Sequence, residues 1–224
     1  MSIVVRTLAE RVFEIVRERI AKGDLAGDEP IRQDALAGEL GISKIPVREA
    51  LGRLEQEGLL VSHANRGYVV QSMSSEQADE IFALRLSIEP RAAACAARAA
   101  TEPERKRTRD AFDALETAAA RNLADVAVRN RDFHTQLVRP GGRLLTTQLV
   151  ERLAILAERY VVAHLKPAGR DARAHLEHRA LLEAWLDRDE KRVESLLALH
   201  IEGTLHDLRT QFAVHPCPLS AGIA

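Results

Sequence analysis

Residues 36–60 read LAGELGISKIPVREALGRLEQEGLL, and this stretch decides the fold of the N-terminal part of the chain. Its pattern predicts a short helix over residues 34–40, a break at a glycine, and a second helix from Ser43 to about Glu57. Ser43 can cap the second helix by accepting a backbone N–H bond, and Pro46 is tolerated in the first turn of that helix. These features predict two helices joined by a tight turn.

The segments on either side complete a small α/β unit. Apolar residues at helical spacing predict an amphipathic helix over about residues 4–22, which Gly23 is suited to end. Two short β-type runs, residues 59–63 and 67–71, are joined by the turn-forming residues 64–66. Three helices followed by a hairpin predict a winged helix-turn-helix, a fold that inserts the start of one helix into the DNA major groove.

The rest of the chain is predicted to be helical, because no strand pattern follows Ser74. Helices are expected over residues 75–100, 103–121, 123–138, 143–166, 170–187 and 189–212. We therefore predict a mainly α protein, with a winged helix-turn-helix over residues 1–72, an all-α helical bundle over residues 75–212 and a flexible tail over residues 213–224.

The charge balance excludes one class of nucleic-acid-binding protein. The 224 residues include 32 Lys plus Arg against 33 Asp plus Glu, a net charge of −1, so bulk positive charge does not hold this chain on DNA or on a membrane. The two cysteines lie far apart, which argues against a disulfide framework. No apolar stretch approaches the roughly 18 residues of a membrane span, and we expect a soluble, cytoplasmic protein without membrane contact.

Two cations at the start of the second helix of the turn are candidates for DNA contact. Lys44 and Arg48 are four residues apart on one helix face, where they can meet guanine edges or phosphates. The alternative is that they only solvate a helix surface. Residues 1–72 hold 10 basic and 11 acidic residues, so we expect weak non-specific affinity in a monomer and useful affinity only in a dimer that contacts two half-sites.

Residues 36–51, followed by residues 54–59, resemble the DNA-binding domain of GntR-type bacterial transcription regulators. That family usually carries Arg where Lys44 stands, and Lys keeps the charge but lacks the bidentate fork. The resemblance implies DNA contacts before the first helix of the turn, at the start of the second helix and at the wing, where Gly67 lets the backbone approach the minor groove. The implied DNA-binding residues are Arg32, Ser43, Lys44, Pro46, Arg48, Arg53, Arg66 and Gly67, with Arg53 and Arg66 as phosphate contacts.

Histidines in the helical part are candidates for a metal site. Asn130 and His134 lie four residues apart on one predicted helix, and His178 and His200 lie on two later helices. Three imidazoles and one oxygen group from three helices could converge on a divalent ion in a bundle core. Spacing alone leaves open that each histidine is an ordinary core or surface residue.

Residues 85–93, 132–134, 177–184 and His200 resemble the helical effector domain of the FadR subgroup, the FCD type. Many members of that subgroup bind a metal through an Asp and three His. The implied ligands in this chain are Asn130, His134, His178 and His200. Asn at the first position departs from the family, and its neutral amide oxygen is a weaker ligand than a carboxylate. The implied cofactor is a divalent metal ion, Zn or Ni. Asp132 projects from a different helix face and is a poor substitute.

Arg85 has two interpretations that the sequence does not separate. Its guanidinium could bind the carboxylate of an effector bidentately, or it could form an ion pair with Glu89, four residues on. His175 could approach the metal pocket, although a surface position is the simpler expectation. Trp185 has aliphatic neighbours and is expected in the core.

The leading functional hypothesis is a transcription regulator, a repressor, that binds double-stranded operator DNA as a homodimer and responds to a small carboxylate metabolite bound near the metal. A metal-dependent hydrolase-type enzyme is the second hypothesis, since His clusters also activate water. The sequence lacks His-Glu-x-x-His and has no Glu next to a His pair as an obvious base, so we predict that the protein is not an enzyme. A third hypothesis keeps the metal purely structural.

Overall fold

The computed structural model describes residues 7–64, 66–121, 126–164 and 170–214, and two compact units divide between Met73 and Ser74. The first unit contains α1 (Leu8–Lys22), α2 (Gln33–Leu40), α3 (Lys44–Gln56), β1 (Leu60–His63) and β2 (Gly67–Val70). The second unit contains α4 (Ser75–Ala99), α5 (Glu102–Ala120), α6 (Val126–Val138), α7 (Leu144–His164), α8 (Arg170–Leu186) and α9 (Glu190–Val214). The predicted fold class, mainly α with a small wing, is confirmed.

Helix α1 is closed at both ends by local hydrogen bonds. The Glu10 amide donates to Thr7 Oγ1 at 3.1 Å, and the Thr7 amide donates to Glu10 Oε2 at 2.8 Å, which forms a capping box. At the other end Gly23 adopts φ of +81°, as predicted for the residue that ends this helix. The apolar face between these ends is buried and packs on α3.

The turn between α2 and α3 follows the predicted pattern with one correction. Ser43 has the extended backbone of an N-cap, and α3 begins at Lys44. The Ser43 side chain nevertheless makes no capping hydrogen bond, so the prediction that it caps α3 is wrong. Pro46, at the third helical position, lacks one of the two N–H groups that an N-cap oxygen can accept, so only the Ile45 amide remains for a cap.

The wing is an antiparallel hairpin. Leu60 pairs with Val70 and His63 pairs with Gly67, in the predicted order of strands. Gly67 adopts φ of +69°, a left-handed conformation that a glycine tolerates at a tight turn. The segment before α2 adds an edge contact, since the Ile31 amide donates to the Tyr68 carbonyl at 2.8 Å.

The second unit has no strand among its described residues; besides its α-helices it contains a 3-10 turn at Arg139–Gly141, and its core lies around α4, which packs against α6, α7 and α9. Trp185 is fully buried and its Nε1 donates to the Leu137 carbonyl at 2.9 Å, which confirms the predicted core position. Helix α9 continues to Val214, so the predicted tail from residue 213 begins too early by two residues. Residues 215–224 lie outside the described part of the chain. Among the described helices, none combines the length and apolar character of a membrane span.

Candidate nucleic-acid interface and metal centre

A surface groove in the first unit brings together three separate segments of sequence. Arg32 directly precedes α2, Lys44 and Arg48 lie one turn apart at the start of α3, and Arg66 and Gly67 lie at the wing; all five line the groove. Each of these residues is exposed. Four guanidinium or ammonium groups therefore face one concave surface, although the unit as a whole has no excess of positive charge.

The groove also contains an acidic residue that the sequence analysis did not single out. Asp34, in the first turn of α2, lines the groove, and its Oδ1 forms an ion pair with Lys44 Nζ. The two side chains remain 76% and 57% exposed. The nine residues between Asp34 and Lys44 give no periodic signal for this contact, because it depends on how α2 packs beside α3.

Three of the predicted DNA-binding residues do not line this groove. The Arg53 guanidinium carbon lies 4.7 Å from the ring centroid of Phe13, in cation–π geometry. Ser43 and Pro46 belong to the same turn as Lys44 but are not among the groove-lining residues. Arg53 is thus directed toward α1, a placement that helical spacing within α3 does not reveal.

The second unit brings three of the four predicted metal ligands together. His134 of α6, His178 of α8 and His200 of α9 present their Nε2 atoms to one point. His178 Nε2 lies 3.3 Å from His134 Nε2 and 3.3 Å from His200 Nε2. The side chains of His134 and His178 are buried, and that of His200 is only 12% exposed.

The donor spacing and the protonation state both fit a divalent ion. Two nitrogens at about 2.0–2.1 Å from a tetrahedral zinc are about 3.3 Å apart, the separation that His178 keeps from each of its two neighbours. Burial lowers the pKa of His134 and of His178 well below 6.5, and the neighbouring imidazoles lower it further. Both rings are therefore neutral near pH 7, the form whose lone pair can bind a metal.

A carboxylate that sequence reasoning missed lies against the cluster. His200 Nδ1 lies 2.7 Å from Glu177 Oε2, and Glu177 Oε1 lies 3.3 Å from Arg173 Nε. The spacing in the sequence predicts no Glu beside a His pair as an obvious base, and the structure brings Glu177 against the single ring of His200. Glu177 lines the cavity but contacts Nδ1, the ring nitrogen that faces away from the other two histidines, which is the position of a support for the ligand.

Asn130 lines the same cavity as the three histidines, one helical turn before His134. The cavity measures about 90 Å³, several times the space that one water needs. Its walls are mainly apolar and include Leu115, Ala119, Val126, Ala127, Val161 and Ala174. Asp132 lines a different surface groove, together with Arg107 and Arg139, in agreement with the different helix face that its position predicts.

Arg85 lines the cavity but already has a partner. Its Nε and Nη2 donate to the two carboxylate oxygens of Glu89 at 2.7 Å and 3.2 Å, and both residues are buried. The ion-pair alternative is thus present in the structure, within α4. His175 is 39% exposed, lines the cavity and contacts the carboxylate of Glu116, so it combines the two positions that the sequence left open.

Each of the two units matches the model of a known protein family. Residues 8–70 match the model for bacterial regulatory proteins of the gntR family, and residues 80–203, more than half of the chain, match the FCD domain. The chain belongs to the GntR family. The groove therefore lies in the GntR helix-turn-helix domain, and the histidine cluster lies in the FCD domain.

Individual relatives agree with this assignment. The chain is 30% identical to the HTH-type transcriptional repressor GlaR of Escherichia coli (strain K12) over 198 residues, 84% of this chain and 90% of that protein. It is 26% identical to the Nta operon transcriptional regulator of Aminobacter aminovorans over 174 residues, 78% of this chain and 81% of that protein. The structure of E. coli McbR/YncC shares the fold, with a TM-score of 0.78 and 22% identity over 93% of this chain and 100% of that one. This GntR-family chain is a transcriptional regulator and not an enzyme.

Proposed function

We propose that this GntR-family regulator is a repressor that binds double-stranded operator DNA through the first-unit groove, and that a small carboxylate effector bound near a divalent metal in the FCD domain controls this binding. The cationic groove and the three-histidine cluster are the two observations that support this function most directly. A protein that binds operator DNA works where the chromosome is, so we expect it in the bacterial cytoplasm.

The DNA-binding part of the proposal rests on placed charge. Arg32, Lys44, Arg48 and Arg66 face the groove, against the carboxylates of Asp28 and Asp34. Phosphate contacts supply most of the affinity, and base contacts supply the sequence preference. Lys44 and Arg48, at the start of α3, are the residues that we expect to reach base edges, whereas Arg32 and Arg66 are suited to the phosphates that flank the major groove.

A homodimer is part of the same proposal. Four cations in one groove give a single copy limited affinity, and helix-turn-helix regulators gain affinity by placing two copies on two half-sites. Helices α4 and α7 pack against each other. Both carry exposed leucines, which offer apolar surface that a second copy could bury. They are Leu84, Leu144, Leu145 and Leu149.

The metal and the effector would share the FCD cavity. His134, His178 and His200 would hold the ion, with Asn130 as the fourth protein group facing the cavity. The bound ion would supply positive charge for a carboxylate, since the charge of Arg85 is already paired with Glu89 through its Nε and Nη2. The apolar wall suits the aliphatic part of a small acid. The effector can shift DNA affinity only by as much as its affinities for the two states differ.

Fluorescence anisotropy with labelled duplex from the upstream region of its own gene tests the first part. We expect salt-sensitive, saturable binding that is tighter than binding to a random duplex, and loss of that difference in the Arg48→Ala variant. Equal affinity for both duplexes at low salt would contradict operator recognition.

Thermal melts separate an effector site from a purely structural metal. The ion pair between Arg85 and Glu89 favours the structural alternative, because the charge of Arg85 is already paired. We expect a chelator to lower the Tm and small carboxylates to raise it only when zinc or nickel is present. Chelator sensitivity without any response to a carboxylate library would leave the metal with a structural role.

A further inference from the structure

None of the four groups that would face the proposed ion is a carboxylate. Three are the imidazoles of the histidine cluster, and Asn130 is an amide. A divalent ion held by them would receive no negative charge from its ligands, and partial burial makes an uncompensated charge costly. Among the residues that the structure describes, the carboxylate in direct contact with a ligand ring is that of Glu177, on His200.

We propose that Glu177 is a positioning residue for the metal, which holds the proton of His200 on Nδ1, aims its Nε2 lone pair at the cluster and supplies negative charge one step outside the ligands. This inference rests on the metal-binding part of the proposed function. It concerns a residue outside the set of ligands that the sequence implies.

The geometry determines the tautomer of His200. A carboxylate can only accept a hydrogen bond, so the 2.7 Å contact with Glu177 Oε2 requires the His200 Nδ1 to carry the proton. In the neutral ring, the form that binds a metal, Nε2 is then the unprotonated atom, and it lies 3.3 Å from His178 Nε2. Glu177 is held in turn by Arg173, whose Nε lies 3.3 Å from Glu177 Oε1. The guanidinium fixes the carboxylate, and the carboxylate fixes the ring.

Of the two buried rings at the site, that of His134 lacks such support among the described residues. His134 Nδ1 is buried and has no hydrogen-bond partner in that part of the chain. The ring orientation of His134 must therefore come from packing, and its edge lies against Phe133, with ring centroids 5.7 Å apart. His200, on the more open side of the cluster, depends on a polar partner instead.

Zinc titration of the full-length protein, in competition with a chromogenic chelator, tests the role of Glu177. Glu177→Gln keeps a hydrogen-bond acceptor and removes the charge, and Glu177→Ala removes both. We expect affinity to fall about tenfold in the first variant and up to about 100-fold in the second, the range that supporting carboxylates give. Glu183→Gln, an exposed position on the same helix, is the matched control and should bind like the wild type. An affinity within about threefold of wild type in Glu177→Ala would overturn the proposal.

Long-range ¹H–¹⁵N spectra of the histidine rings in metal-free protein give a second and independent readout. We expect His200 to be the Nδ1–H tautomer in the wild type and in Glu177→Gln, and a mixture of tautomers in Glu177→Ala. An Nε2–H tautomer in the wild type would overturn the positioning role. If the wild type bound no zinc, the metal part of the proposed function would fail, and the spectra would still decide the orientation of His200.

Discussion

Lys44 Nζ and the Asp34 carboxylate form an ion pair inside the groove that faces DNA in our proposal. DNA phosphates compete with Asp34 for Lys44, so we expect Asp34→Asn to tighten binding to random-sequence duplex by about two- to fivefold, the range of an exposed ion pair. Freeing Lys44 for a phosphate should also steepen the dependence of log K on log salt by about 0.9. Anisotropy titrations at several salt concentrations measure both quantities.

Glu39→Gln is the matched control for Asp34→Asn. Glu39 lies on the same helix as Asp34, and Glu39→Gln changes the net charge by the same amount as Asp34→Asn. Glu39 forms an ion pair with Arg19, however, and does not line the groove. If both variants gain the same affinity, overall charge and not the Asp34–Lys44 contact is responsible.

Arg48 and Arg53 should behave differently although they lie five residues apart on one helix. Arg48 lines the groove, so Arg48→Ala should cost about 1–3 kcal/mol of operator binding and relax the preference for one base pair. Arg53 lies over Phe13, and Arg53→Ala should leave the sequence preference intact. Competition binding against single-base operator variants measures this contrast. A relaxed preference in Arg53→Ala would show that the side chain turns toward DNA on binding.

The buried histidines should make the metal-free FCD domain sensitive to acid. Burial keeps the pKa of His134 and of His178 well below 6.5, while in the unfolded chain both take up protons near pH 6.5. Below that pH the unfolded state binds more protons, so the free energy of unfolding falls as pH falls, by up to about 1.4 kcal/mol per pH unit for each ring. Urea denaturation in the presence of a chelator, between pH 7.5 and 5.5, measures the slope.

Substitution of one buried histidine separates the protonation of these rings from a general sensitivity of the protein to acid. His178→Gln should make the slope shallower, whereas His63→Gln, at an exposed position on the wing, should leave it unchanged. Identical slopes in the wild type and in His178→Gln would contradict the prediction.

Asn130 offers a gain-of-affinity test. Asn130→Asp adds a carboxylate to the cavity that holds the three histidines, and we expect zinc or nickel to bind about tenfold more tightly, or about 1.4 kcal/mol. Asp132→Asn, which changes charge two residues away in a separate groove, should leave metal affinity unchanged. A weaker site in Asn130→Asp would mean that position 130 does not face the ion.

Local patterns were sufficient to predict most of the fold. Gly23 ends α1 and the β1–β2 hairpin closes at Gly67, because the backbone conformations at these points depend on residue type. The predicted capping by Ser43 is wrong, because the prediction considered the cap residue alone, whereas Pro46 removes one of the two N–H donors that a cap can use. The end of α9 was misjudged by two residues, since nothing in residues 213–214 breaks a helix.

The site was only partly predictable. The resemblance to the FCD type was enough to group His134, His178 and His200 as metal ligands, since they stand at the ligand positions of that type. Glu177 and Asp34 could not be assigned, because their partners lie on other helices and the contacts depend on packing angles that periodicity does not contain. The sequence could not decide whether Arg85 binds an effector carboxylate or pairs with Glu89. That choice depends on whether Glu89 is buried beside Arg85, which packing determines.

Helix α9 is a continuous helix that connects the cavity to the start of the FCD unit. Its 25 residues span about 37 Å, and about 14 Å separates His200 at the cavity from Arg209. Arg209 Nε donates to Asp79 Oδ1 at 2.8 Å, five residues after Ser74, where the FCD unit begins. An α-helix is stiff along its axis, so α9 is one rigid element between the cavity and the first turns of α4. An effector that displaced His200 would therefore act, through a single helix, on the segment where the FCD unit begins.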